Sequence, residues 1–178
     1  MADKQSFTPE EWAKVLMSPT VASMAITAAD PSGLWGMLKE SFASGAALVA
    51  AKADPETNPL IKALVADYET ADGRGELKEA LRARFAGAKP DELVGRTLAE
   101  LGEVAQILDA KAPEDAAVFK AWLAGISQKV AEASKEGGFL GFGGVQVSDA
   151  EKATLADVQK TLGTQKTPGT QKTPGTIA

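Results

Sequence analysis

The 178-residue chain contains neither cysteine nor histidine. Without cysteine, no disulfide can form and no thiolate can serve as nucleophile or metal ligand. Without histidine, the Ser-His-Asp and Cys-His arrangements are unavailable. Imidazole zinc sites and the histidine-containing di-iron sites of helix bundles are excluded too. Chemistry is left to carboxylates, Lys, Arg and the single tyrosine, Tyr68. Long apolar runs are also missing, since no stretch approaches the ~20 residues of a membrane span. The start, Met-Ala-Asp-Lys-Gln-Ser, lacks the apolar core of a signal peptide. A cytoplasmic location is the expectation, in keeping with the lack of cysteine.

Basic residues are outnumbered by acidic ones, 19 to 24, for a net charge of −5. Lys166 and Lys172 are the only charges after Leu162, so residues 1–162 carry −7 (−5 less +2). Phosphate backbones are bound by clustered Lys and Arg, so nucleic acid is not expected as a partner. Anionic lipid surfaces are disfavoured for the same reason.

What is plentiful is alanine, about one residue in five. With Leu, Glu and Lys it favours helix along most of the chain. The prolines read as helix starts. Thr8-Pro9, Ser18-Pro19, Asp30-Pro31, Asp54-Pro55 and Asn58-Pro59 each place a capping residue before Pro at the first helical position. Pro90 and Pro113 are followed by Asp91-Glu92 and Glu114-Asp115, acidic pairs that suit a helix N-terminus.

The first helix is expected from Pro9, with Thr8 and Glu11 as a capping box and Phe7 stapled on Trp12. A short helix from Pro19 to about Ala29 follows. A third runs from Pro31 to about Ala53, with Trp35, Leu38, Phe42, Gly45 and Val49 as its seam. A fourth spans Pro59 to about Thr70, and Asp72-Gly73-Arg74-Gly75 reads as a turn. Leu77, Leu81 and Phe85 mark a fifth helix ending near Gly87. The sixth is Pro90 to about Lys111. From Pro113 a long helix carries Phe119, Trp122, Ile126, Val130 and Ala133 at steps of three and four, which predicts one buried face and a buried Trp122. It stops at Gly137-Gly138. Ser148 and Glu151 form a second capping box and start the last helix. Residues 15–51 hold only three charges, Asp30, Lys39 and Glu40, which points to central buried helices or an interface.

The fold class is therefore all-α: a single-domain irregular bundle of about seven or eight helices over residues 1–162. Residues 163–178 repeat Gly-Thr-Gln-Lys-Thr-Pro and carry no apolar side chain before Ile177, so they read as a low-complexity tail, flexible in isolation.

The candidate contact loop is Gly137, Gly138, Phe139, Leu140, Gly141, Phe142, Gly143 and Gly144. A phosphate-binding loop would follow a strand or end in Gly-Lys-Ser/Thr, and neither holds here. The aromatics either plug one end of the bundle or dock on a partner. The stretch Gly143 to Leu155 resembles the helix start of TerB-type tellurite-resistance helical domains, with Gly143-Gly144 where an acidic residue is usual. That resemblance implies a small-molecule or carboxylate-metal site near the glycine-rich loop. Among the carboxylates, Glu100 with Glu103 and Glu76 with Glu79 share helix faces and read as solvated. Asp67, Glu69 and Asp72 could hold a hard cation but lack EF-hand spacing.

No catalytic residue, metal site or cofactor is expected from this pattern. The functional expectation is a non-enzymatic helical interaction or structural protein, self-associating or bound to a protein partner. The alternative is the TerB-like ligand- or metal-binding domain.

Overall fold

Helix starts set by local chemistry organise the molecule. The computed structural model describes residues 2–29, 45–133 and 147–165. A 3-10 turn at Lys4–Ser6 precedes α1 (Pro9–Ala28). Residues 45–53 form α2. Then come α3 (Pro59–Glu69), α4 (Ala71–Phe85), α5 (Pro90–Lys111), α6 (Pro113–Ala133) and α7 (Asp149–Thr161). The described residues hold no strand, so the fold is all-α. The expected seam residues Trp35, Leu38 and Phe42, the loop Gly137–Gly144 and the tail from Lys166 lie outside the described residues.

Both expected capping boxes form. The Thr8 hydroxyl accepts from the Glu11 amide at 3.2 Å, and Glu11 accepts from the Thr8 amide at 2.8 Å. Ser148 and Glu151 repeat the exchange at 3.1 and 2.8 Å. Phe7 packs on Trp12 with ring centroids 5.7 Å apart, the staple that fixes how the chain enters α1. At the far end of α7, Gly163 takes φ +67. The Thr164 amide then bonds the Gln159 carbonyl and the Gly163 amide the Lys160 carbonyl, which closes the helix.

Three expectations are corrected. Asp54-Pro55 starts no helix, since residues 55–57 form the turn between α2 and α3. Ser18-Pro19 does not start a helix, because Pro19 lies inside α1. Proline has no amide hydrogen, so the Val15 carbonyl loses its ordinary donor. The Ser18 hydroxyl donates to that carbonyl instead, at 2.7 Å. The residue read as a cap thus makes the interior proline tolerable.

Nor do residues 72–75 form a turn, since α4 begins at Ala71. Thr70 ends α3 and caps α4 at once, its hydroxyl donating to the Asp67 carbonyl and accepting from the Gly73 amide, both at 2.8 Å. Arg74 reaches back to the Glu69 carbonyl at 2.7 Å and so satisfies the end of α3. A Cβ at Gly73 would sit 2.1 Å from the Asp67 carbonyl oxygen. Glycine is required there for close approach of backbone to backbone.

α1 is the axis of the core. Val15, Leu16, Met17, Val21, Ala22, Ala25 and Ile26 are all buried, and α3, α4, α5, α6 and α7 pack around them. This bears out the uncharged stretch as central for residues 15–29; over residues 45–51 it is corrected, since only Ala47 and Ala51 are buried there and the expected seam residue Val49 is 68% exposed. The Ser127 hydroxyl of α6 donates to the Ala22 carbonyl at 2.8 Å inside this core. Ile26 also meets Val130, Ala131 and Val147 in a smaller cluster at the other end of the bundle.

Gly73→Ala is expected to lower stability by about 1–3 kcal/mol, the range for forced overpacking. Gly75→Ala, whose Cβ meets open space, should raise it by up to ~1 kcal/mol through helix propensity. Urea midpoints of the two variants provide the check; equal shifts would contradict the close approach.

Candidate interaction surface

α6 has more apolar surface than the described helices cover. Phe119, Leu123, Ile126 and Val130 are buried, and Ala116, Ser127 and Ala131 extend that face. Val118 and Trp122 fall to one side of it. Trp122 is half-buried and packs edge-on to Phe119 at 5.5 Å. Val118 is 52% exposed. The expectation of a buried Trp122 is thereby corrected: the buried face is centred on Leu123 and Phe119, and the indole lies at its margin.

Facing this margin is α2, whose Ala47, Ala50 and Ala51 are too short to fill the space. The result is an open groove of about 340 Å³ between α2 and α6, with Ile61 also lining it. One end is pinned by a buried carboxylate. Asn58 caps α3 through its side-chain oxygen, 2.9 Å from the Leu60 amide. Its amide nitrogen donates to Asp115 Oδ1 at 2.8 Å, and the Ala2 amide donates to Oδ2 at 2.8 Å. Asp115 is 4% exposed, so both oxygens need these donors. The pin holds residues 54–58 at the start of α6. Asp54 and Glu56 line the groove at that end. Lys129 lines it too, 14 residues along α6 from Asp115, which is about 21 Å at 1.5 Å per residue. Neither Glu56 nor Lys129 has an ion-pair partner among the described residues.

The carboxylates singled out in the sequence do not converge. Asp67 accepts from Lys4 at 2.8 Å and from the Trp12 indole at 2.7 Å. Glu69 pairs with Lys52 at 2.5 Å. Glu100 and Glu103 do more than decorate a solvated face: Glu100 pairs with Arg84 of α4 at 3.3 Å, and Glu103 with Lys14 of α1. Glu76 lies 3.4 Å from Lys4. No group of three or more metal-ligating residues is assembled among the described residues. Tyr68, the remaining candidate for acid–base work, is half-buried, its hydroxyl 3.3 Å from that of Thr20. Burial pushes its phenol up to about 12, the Thr20 contact opposing only weakly. The phenol is therefore held in its protonated form at neutral pH.

A second open pocket, about 220 Å³, lies beside Ala2, Lys111 and Asp115. Lys111 there faces Glu11 at 3.5 Å. The candidate loop residues Gly137 to Gly144 lie outside the described residues.

No family model matches the chain, and no curated protein or solved structure shows significant similarity to it. The TerB resemblance of residues 143–155 thus gains nothing from these comparisons. The surface has to be read from its own chemistry.

Sequence reasoning missed the groove. Its signal was available in Val118, Trp122, Gly125 and Lys129, a stripe at steps of four, three and four alongside the buried one. The Asn58–Asp115 pin was half legible, since Asn58 reads as a cap but the use of its amide nitrogen depends on a residue 57 positions away.

Phe119→Ala should cost about 3–5 kcal/mol, as for a fully buried aromatic. Trp122→Ala should cost only about 1–2 kcal/mol, in proportion to its partial burial. Denaturant midpoints of equal size for the two would contradict the assignment of faces.

Acid sensitivity follows from Asp67. Burial alone raises its carboxyl, but the hydrogen bonds from Lys4 and the Trp12 indole outweigh it and hold the group below the ordinary value. Lys14 does the same for Glu103. A depressed carboxylate stabilises the fold above its unfolded-state pKa, near 4, and that contribution is lost as pH falls through the folded-state value. Thermal melts from pH 6 downward should show Asp67→Asn flattening the decline in Tm below about pH 4. An unchanged slope would remove Asp67 from the account.

Proposed function

We propose that the protein is a non-enzymatic, cytoplasmic helical interaction protein that self-associates through a helix surface. The observation that carries this reading is the α2–α6 groove. It sets an exposed valine and a half-buried tryptophan along an open apolar channel about 340 Å³ in size. Exposed apolar surface of this kind, rimmed by charge, marks contact sites. Lys4, Lys14, Lys52 and Arg84 bind carboxylates of other helices, which serves the fold. No described helix is long and apolar enough to cross a membrane. The net charge of −5 favours protein surfaces over phosphate backbones as partners.

Sedimentation velocity of the full chain across micromolar concentrations tests the reading. The expected result is a concentration-dependent shift from monomer to a larger species. A single monomeric boundary throughout would contradict self-association.

A further inference from the structure

We infer that the occupant of the α6 stripe is the same stripe of a second copy, running antiparallel about a two-fold axis between Leu123 and Ala124. The inference rests on the proposed self-association and specifies its geometry. Val118, Trp122, Gly125 and Lys129 follow one another at helical steps of four, three and four, so they share one side of α6. An antiparallel pairing about that centre sets Trp122 of each copy over Gly125 of the other. It sets Val118 of each opposite Lys129 of the other. Residues that meet this way have numbers with the same sum, and the stripe satisfies the condition for both pairs.

The chemistry agrees with the register. Trp122 is the large side chain of the stripe and is only half-buried, so it has surface left to cover. Gly125 is its opposite: a Cβ there would meet nothing within 4 Å among the described residues, which leave open space at that point. An indole against a glycine on a facing helix allows close approach of the backbones and a fully desolvated contact. The groove's charges are arranged the same way. Asp54 and Glu56 lie at the end pinned to Asp115, and Lys129 lies about 21 Å along the helix. Reversing one copy brings Lys129 to the acidic end of the other, twice over. A surface with an acid at one end and a base at the other is complementary to itself only in the antiparallel sense, as a two-fold contact requires. A parallel contact would set acid against acid.

The test uses the full chain and two independent substitutions. Gly125→Gln places a polar side chain where the second indole would sit, at a position whose Cβ would meet nothing within 4 Å among the described residues. It should weaken dimerisation about 30-fold or more, as for a central contact, while leaving the melting temperature of the monomer unchanged or raised. Lys129→Glu should weaken it by a smaller, salt-dependent factor. Mixing the Lys129→Glu chain with an Asp54→Lys, Glu56→Lys chain should restore mixed dimers, because the rim charges again oppose. Sedimentation equilibrium reads all of these. A wild-type dimer whose affinity Gly125→Gln leaves intact would overturn the antiparallel contact while sparing self-association. A wild-type chain that stays monomeric would overturn both, and the groove would then belong to a different occupant.

Discussion

The burial of α1 is the constraint on which the rest depends. From Val15 to Ala29 the helix offers no charge, and its side chains are spent on neighbours in nearly every direction. Such a helix has no solvent face of its own, so other helices must surround it. Its proline survives because the Ser18 hydroxyl takes over the orphaned Val15 carbonyl. Ser23 and Thr27 bond back to the carbonyls of Pro19 and Ser23, which keeps hydroxyls inside an apolar core without unmet donors. Once α1 is enclosed, each surrounding helix has one face fixed, and whatever apolar surface remains is turned outward.

Polar contacts fix how the enclosure closes. The N-terminal turn is held by two carboxylates on different elements, Asp67 through Lys4 and Asp115 through the Ala2 amide. Trp12 joins the first of these and is itself 1% exposed. Asp115 at the same time holds Asn58 and therefore the start of α3. These carboxylates are structural, and they account for positions where acidic residues would otherwise invite a catalytic reading. Glu100 is the least satisfied of the set. Its Oε2 is buried with no hydrogen-bond partner among the described residues, while Oε1 faces Arg84.

Features governed by neighbours in sequence were legible without coordinates. The Thr8–Glu11 and Ser148–Glu151 boxes, the Phe7–Trp12 staple and the starts at Pro59, Pro90 and Pro113 all depend on residues within a turn of one another. Features governed by distant partners were not. Ser18-Pro19 has the local signature of a helix start, and only burial among α5 and α6 decides that α1 continues. Gly73 looks like turn glycine, yet the reason for it is the Asp67 carbonyl on another helix. On α6 the periodicity placed Phe119, Ile126 and Val130 on the buried face, where they are; Trp122 gives way to Leu123, which packing around α1 selects. Arg84–Glu100 and Lys14–Glu103 join helices whose relative placement no periodicity reveals.

The stripe on α6 from Val118 to Lys129 is the surface left over when α1 has taken what it needs, and its use as a two-fold contact is the central claim. The absence of cysteine makes a direct measurement simple, since Ala117→Cys supplies the only thiol for a spin label. Ala117 is exposed, just outside the stripe. In the antiparallel contact the two labelled positions are offset by 13 residues along the helices, so pulsed dipolar spectroscopy should give a separation of about 20–25 Å between backbones 8–10 Å apart. A separation near the bare interhelical distance, or no dipolar coupling at concentrations where the protein is dimeric, would contradict it.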